Sequence, residues 1–331
     1  MSAAQERTGY FVFSLDMELA WGRFDQDQTR AKILSPDGSR ERRAMARLLD
    51  ILDEFGIVGT FAIVGHLFYA ECEGCAICPV LDWRDKYQSF AEIYKTNAPL
   101  WYGADIIETL LTRGPQHEIA FHGYTHEVFA PETMSEEAAV LQIHEWLRVA
   151  KRKGVTPRTV IFPRDQVNYL HLFRRAGFIC YRSAEKPGRV RLGYVGKLLK
   201  SIDHILGITT PPVYDLDGLE SCGMVNLRPS QHFFGFNRRL EGVLDSLNLH
   251  RLRIRRMVKA IRSAAEQGKI VHIWAHPWEF RSEKDFDKLR YLLDHVAGEM
   301  AKGRIQSVGM ARLAEEVVAR SDTADIVSRA D

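Results

Sequence analysis

From position 10 to 308 the chain alternates short aromatic and β-branched runs with longer amphipathic stretches, a pattern that restricts it to folds built on a parallel sheet. Strands are predicted over 10–15, 59–64, 118–121, 159–162, 178–182, 224–227, 270–274 and 305–308. Helical periodicity fills the intervals at 41–55, 104–112, 135–153 and 284–302, and a basic stretch at 251–262 carries its apolar residues at helical spacing. Seven or eight strands separated by helices imply an α/β fold, either a parallel barrel or a doubly wound sheet. At 331 residues and 46% hydrophobic, the chain has enough apolar surface for one elaborated domain. That domain is expected over 1–320, with an irregular insertion at about 66–101 and a flexible tail at 321–331.

In such folds chemistry sits where strands end. The first strand runs into Ser14-Leu15-Asp16-Met17-Glu18, where side chains two apart share a face, so Asp16 and Glu18 can address one pocket. The third runs into His122-Gly123-Tyr124-Thr125-His126, two imidazoles four residues apart that can aim at one ion. Singly, each pattern is a common coincidence; together they make a carboxylate and two histidines, an open zinc-type donor set. The fourth strand is followed by Phe162-Pro163-Arg164-Asp165, where Arg164 can pair with a carboxylate and hold it ionised. After the strand at 270–274 comes Ala275-His276-Pro277-Trp278-Glu279-Phe280, with His276 placed like a general acid. An ordinary surface ion pair for Arg164 and a satisfied core histidine for His276 are the plainer alternatives.

Charge is nearly balanced, 45 basic against 43 acidic residues, and no like-charged tail is present, so no nucleic-acid partner is expected. The basic stretch at 251–262 suits a solvated amphipathic helix; with the segment 198–212 it leaves peripheral contact with a membrane open. No apolar run approaches the roughly 20 residues of a membrane span. The opening Met-Ser-Ala-Ala-Gln-Glu-Arg lacks the order of an export signal, which leads to a cytoplasmic expectation with five reduced cysteines. Cys72, Cys75 and Cys78 have the spacing of a structural metal site but no fourth ligand nearby, so reduced loop cysteines are the default.

The four motifs, in this order, resemble those of the polysaccharide deacetylases of carbohydrate esterase family four, and the resemblance runs from Tyr10 to about Glu316. It implies a distorted (β/α) barrel of about seven parallel strands with its site at their C-terminal ends. It also implies Asp16 as catalytic base, Glu18, His122 and His126 as metal ligands, Arg164 as the arginine orienting the base, and His276 as the proton donor to the leaving amine. The implied cofactor is one divalent ion, zinc first, then cobalt, nickel, manganese or iron. The family's commonest first motif has two adjacent aspartates where this chain has Asp16, Met17 and Glu18, so the division of roles between the two carboxylates is the point of departure. Gly123 stands where many members carry serine or threonine.

The activity so implied is hydrolysis of an N-acetyl group from an N-acetylated saccharide, a precursor or lipid-linked glycan. Aromatic residues Trp21, Trp101, Tyr124 and Trp278 are candidates for stacking on sugar rings. Two other readings stand beside it: hydrolysis of a non-sugar amide or ureide on the same site, and a catalytically silent homologue that binds carbohydrate or protein.

Overall fold

The first strand, β1 (Gly9–Met17), has neighbours on both edges and no exposed residue. The computed structural model describes residues 8–26, 32–71, 77, 98–113, 117–185, 203, 207–216, 220, 222–234 and 238–328. Along β1 the pleat sends Phe11, Phe13, Leu15 and Met17 outward into the core shared with the helices, while Val12, Ser14 and Asp16 line the interior. A strand covered on both faces reads as a continuous apolar run, as this one does.

The chain continues through α1 (Ser39–Glu54), β2 (Gly59–Ile63), α2 (Ala104–Arg113), β3 (Glu118–Phe121), α3 (Glu136–Arg152), β4 (Thr159–Ile161), α4 (Leu170–Arg175) and β5 (Cys180–Arg182). Then come β6 (Val225–Asn226), β7 (Gln231–His232), α5 (Arg238–Ser246), α6 (Arg255–Gln267), β8 (Ile270–Ala275), α7 (Glu283–Ala301), β9 (Ile305–Ser307) and α8 (Met310–Ser328). The helix ends follow local chemistry. Ser135 caps α3, its Oγ accepting from the Ala138 N–H, with Glu136 and Glu137 in the first turn. Gly268 ends α6 in a left-handed conformation.

Among the described residues every strand pairing is parallel, in the order β6-β5-β4-β3-β2-β1-β8-β7, with β9 also on β1. The four residues Leu227-Arg228-Pro229-Ser230 curl this sheet into a barrel. Leu227 N–H still donates to the Tyr181 carbonyl beside β5, whereas Ser230 N–H already donates to the His272 carbonyl in β8. One short segment thus joins the two ends of the sheet. The other mouth is covered by α8, whose first N–H groups donate to Thr60 Oγ1 (3.1 Å) and Glu118 Oε2 (3.1 Å) and whose Met310, Leu313 and Val317 are buried with Val12, Ala62 and Ile161.

The predicted strands and long helices lie within a few residues of those observed. The strand β7 and the helices α4, α5 and α8 are absent from the sequence reading, and α8 continues past position 321, where a flexible tail is expected. The basic stretch at 251–262 is a 3-10 turn, His250–Ile254, running into α6. Cys72, Cys75 and Cys78, with most of 66–101 and of 198–206, lie outside the described residues.

Candidate metal centre

Asp16 lies near the end of β1 and Glu18 just beyond it, His122 follows β3, Arg182 closes β5 and His276 follows β8. Parallel registry sets those strand ends side by side, so groups distant in sequence meet at one mouth of the barrel. Glu18 is their meeting point: its Oε1 lies 3.0 Å from His126 Nε2, 3.3 Å from His122 Nε2 and 3.5 Å from His276 Nε2. A Cβ on Gly22 would fall 1.7 Å from Glu18 Oε2, so only glycine leaves this carboxylate in place.

The loop carrying the two histidines is held from several sides. Phe121 packs edge-on among Phe129, Phe173 and Phe178 and anchors the strand end. Gly123 has φ +75°, a conformation open to glycine, and an added Cβ would meet Pro163 Cγ at 3.1 Å; serine or threonine would be strained in this turn. Gln142 of α3 clasps the loop, its Oε1 accepting from Tyr124 N–H (2.9 Å) and Thr125 N–H (3.2 Å) while Nε2 donates to Thr125 Oγ1 and Glu127 Oε2 (both 2.7 Å). His126 itself takes φ +59°, an uncommon conformation for a side-chain-bearing residue.

Two observations test whether these residues suit a cation. His122 Nδ1 lies 2.8 Å from the Ile161 carbonyl, which only accepts, so this nitrogen carries a proton and Nε2 faces the Glu18 carboxylate at 3.3 Å. Two acceptors facing each other require a proton or a cation between them. The donor atoms of Glu18, His122 and His126 also lie within 4.8 Å of one another, all buried, and three protein ligands leave a coordination position open. The set fits a divalent ion.

Asp16 is held by Arg182, not by Arg164. Arg182 Nη1 donates to Asp16 Oδ1 (2.8 Å) and to Ser14 Oγ (3.0 Å), and Nη2 donates to Asp16 Oδ2 (2.6 Å). Arg164 points outward to Asp25 Oδ1 at 2.5 Å. The cause is local: after Pro163, both Arg164 and Asp165 adopt φ +54°, which turns the arginine out and brings Asp165 within 3.4 Å of Arg182. Arg182 is buried, its guanidinium 4.5 Å from the Trp274 ring centroid. Behind it, Ser14 Oγ lies 2.8 Å from His272 Nε2, and His272 Nδ1 lies 3.1 Å from the Leu227 carbonyl. A proton on Nδ1 leaves Nε2 to accept from the serine, so both ring nitrogens and the serine hydroxyl are satisfied with His272 neutral.

His276 is flanked by two carboxylates, Glu18 on its Nε2 side and Glu279 Oε2 at 3.0 Å from Nδ1. Glu279 Oε2 also accepts the His276 backbone N–H (3.0 Å) and lies 2.8 Å from His232 Nε2. Burial alone would lower the His276 pKa, but Glu18 and Glu279 raise it well above the ordinary histidine value. Burial would raise Asp16, yet Arg182, with smaller contributions from His122 and His276, holds it below the usual carboxylate value. Glu18 is likewise pushed up by burial and brought well down by the surrounding histidines. For His126 burial outweighs the attraction of Glu18, and its pKa is lowered. The mouth therefore presents an ionised Asp16 beside a protonated His276, with ligand atoms of Asp16, Glu18 and His276 within 4.8 Å of one another.

The structure brings Asp16, Glu18, His122, His126 and His276 together and leaves Arg164 outside. Of the aromatic candidates, Trp21, Trp101 and Tyr124 are core residues; Trp21 donates from Nε1 to the Trp101 carbonyl (2.8 Å) and packs with Tyr124 around His66. Trp278 lies against a site residue, 4.9 Å from the His276 ring. Arg182, Glu279 and His232 escape the sequence reading, although Glu279 stands within the motif that carries His276.

No family model matches the chain, and no curated protein does. Solved structures do. A Mycobacterium smegmatis protein named as a polysaccharide deacetylase superposes with a TM-score of 0.55 at 18% identity, over 97% of this chain and 94% of its own. A GH57-type branching enzyme from Pyrococcus horikoshii gives 0.52 at 13% identity, over 93% and 70%. The Puue allantoinase gives 0.50 at 13% identity, over 95% and 91%. At these identities the likeness is one of architecture: the chain has the distorted (β/α) barrel found among the polysaccharide deacetylases.

Proposed function

We propose that the protein is a metal-dependent hydrolase that removes the N-acetyl group from an N-acetylated saccharide. The observation that carries this reading is the arrangement at the barrel mouth: an open Glu18, His122 and His126 donor set with an ionised Asp16 on one side and a protonated His276 on the other. A divalent ion held by the three ligands, zinc in this proposal, supplies Lewis acidity toward the acyl oxygen and the attacking water. Asp16, fixed by Arg182, takes the proton of that water as general base. His276, its Nδ1 proton directed to Glu279, gives its Nε2 proton to the departing amine nitrogen. Asp16 and His276 thus hold the base and acid forms that the two transfers need at neutral pH.

The test is acetate release from N-acetylhexosamine conjugates, including lipid-linked ones, by protein with one equivalent of zinc, beside Asp16→Asn and His122→Ala. The expected result is turnover that Asp16→Asn lowers at least about a hundredfold with metal retained, and that His122→Ala abolishes with metal lost. Release of no acetate from any of these conjugates overturns the proposal. Turnover of small amides or ureides instead would move the reading to the alternative suggested by the allantoinase neighbour.

A further inference from the structure

We infer that the apolar surface around the start of α6 is a docking site for an anionic lipid bilayer, which would hold the barrel mouth against a membrane. Among the described residues six large apolar side chains are exposed, and four of them, Ile208, Val243, Leu247 and Leu249, are 42 to 64% exposed and belong to two segments that converge on the N-terminal end of α6. Val243, Leu247 and Leu249 lie on α5 and the turn that feeds α6. Ile208 is brought there from the other side: Lys259 Nζ donates to the Gly207 carbonyl, Arg256 Nε donates to the Thr209 carbonyl (3.1 Å), and a Cβ on Gly207 would lie 3.3 Å from Arg255 Cβ.

The topology sets this patch at the site's end of the molecule. Helix α6 runs down into β8, so its N-terminus stands at the end where β8 delivers His276. The patch is also tied to the first turns of α7, which begins just after Glu279. Lys284 donates to the Asp245 carbonyl, Lys288 pairs with Asp245 (3.4 Å), and His250 and Arg251 both engage Asp287 (2.5 and 2.7 Å). The same surface is basic: Arg255 and Lys259 are exposed, and the nearby acids Asp245 and Asp287 are paired with Lys288 and Arg251. Exposed aliphatic side chains ringed by arginine and lysine match a bilayer with anionic headgroups: the aliphatic groups enter the acyl boundary and the cations meet phosphate. Exposed apolar groups on a rim also fit a second copy of the chain, but a self-contact would set the cations Arg255 and Lys259 of both copies in one interface, which favours the bilayer. The inference does not depend on the hydrolase reading.

The experiment is flotation of the full chain with phosphatidylglycerol vesicles and with phosphatidylcholine vesicles, for the wild type, Arg255→Gln and a Leu247→Ser/Leu249→Ser variant. Circular dichroism and thermal unfolding of each variant come first. The wild type should float with phosphatidylglycerol alone. Arg255→Gln should weaken partitioning about fivefold, the double variant should remain at the bottom of the gradient, and 0.5 M salt should release the wild type, an arm that needs no variant to fold. Failure of the wild type to float overturns the inference, as does undiminished flotation of the double variant. A dimer in sedimentation that the same two substitutions dissociate would assign the patch to a second copy and overturn it as well.

Discussion

Arg182 shows how much one side chain can decide. A buried guanidinium is costly unless its donors are used, and here both ends of its fork close on Asp16 while Ser14 takes a further bond. Arg164 makes a single contact near the surface, where such pairs contribute little. The two arginines therefore make a paired prediction. Arg182→Leu strands a buried carboxylate and should lower unfolding free energy by about 3–5 kcal/mol; Arg164→Leu should change it by less than about 1 kcal/mol. Urea denaturation at pH 7.5 measures both, and equal effects would mean that Arg182 is not the partner of Asp16. Much of the Arg182 loss should return in the Asp16→Leu/Arg182→Leu double variant, since two apolar residues leave no stranded charge. Arg182 was hidden in the sequence because an arginine at the end of a short strand looks like any strand terminus, and its partner lies 166 positions away. Arg164 drew attention because it stands in a recognisable motif, but no pattern in one-letter code announces two consecutive left-handed residues.

At the scale of the element, β3, its loop and α3 form a unit that presents two imidazoles. The strands and long helices of this barrel were legible because period-two and period-3.6 apolar patterns are imposed by burial on every such element. Two-residue strands such as β7 are too short to carry a period, and they exist because their neighbours fix them. The clasp made by Gln142 belongs to this hidden class: in sequence it is one polar residue in an amphipathic helix, but in the fold its amide satisfies the Tyr124 and Thr125 N–H groups. Gln142→Leu removes those acceptors while keeping the volume, leaving two buried donors without partners. The expected cost is about 2–4 kcal/mol, together with weaker zinc binding, read by competition with a chromophoric chelator. An unchanged zinc affinity would show that the aromatic cluster around Phe121 positions the loop without help. Gln142→Glu keeps an acceptor for both N–H groups but replaces the Nε2 donor with an oxygen facing Glu127, so it should recover only part of the loss.

Across the whole molecule, His272 ties the barrel's closing segment to the mouth that holds Asp16 and Glu18. Its backbone N–H donates to Ser230 Oγ (3.1 Å), and its ring spans from Leu227 to Ser14, next to the Arg182 and Asp16 pair. Burial, reinforced by the Arg182 charge, depresses its pKa to about 3. A histidine that is harder to protonate folded than unfolded contributes stability in full above its ordinary pKa of about 6.5 and loses it as pH falls toward 3, by about 1.4 kcal/mol per pH unit. Between pH 7.5 and 5 this group should account for about 2 kcal/mol of lost stability. The His272→Gln variant, compared by urea midpoints at both pH values, should show a pH dependence flatter by that amount; identical slopes would remove His272 as the cause. The pairing order of β1 has a further consequence, for synthesis. Of the strands that pair with it, β2 follows within a few tens of residues, whereas β8 leaves the ribosome roughly 250 residues later, on the order of ten to fifty seconds at ordinary translation rates. Glu18, His122 and His126 can meet on the growing chain well before then. Until residue 270 appears, however, one apolar edge of the innermost strand has no mate, so the nascent chain carries its greatest aggregation hazard at the centre of the finished molecule.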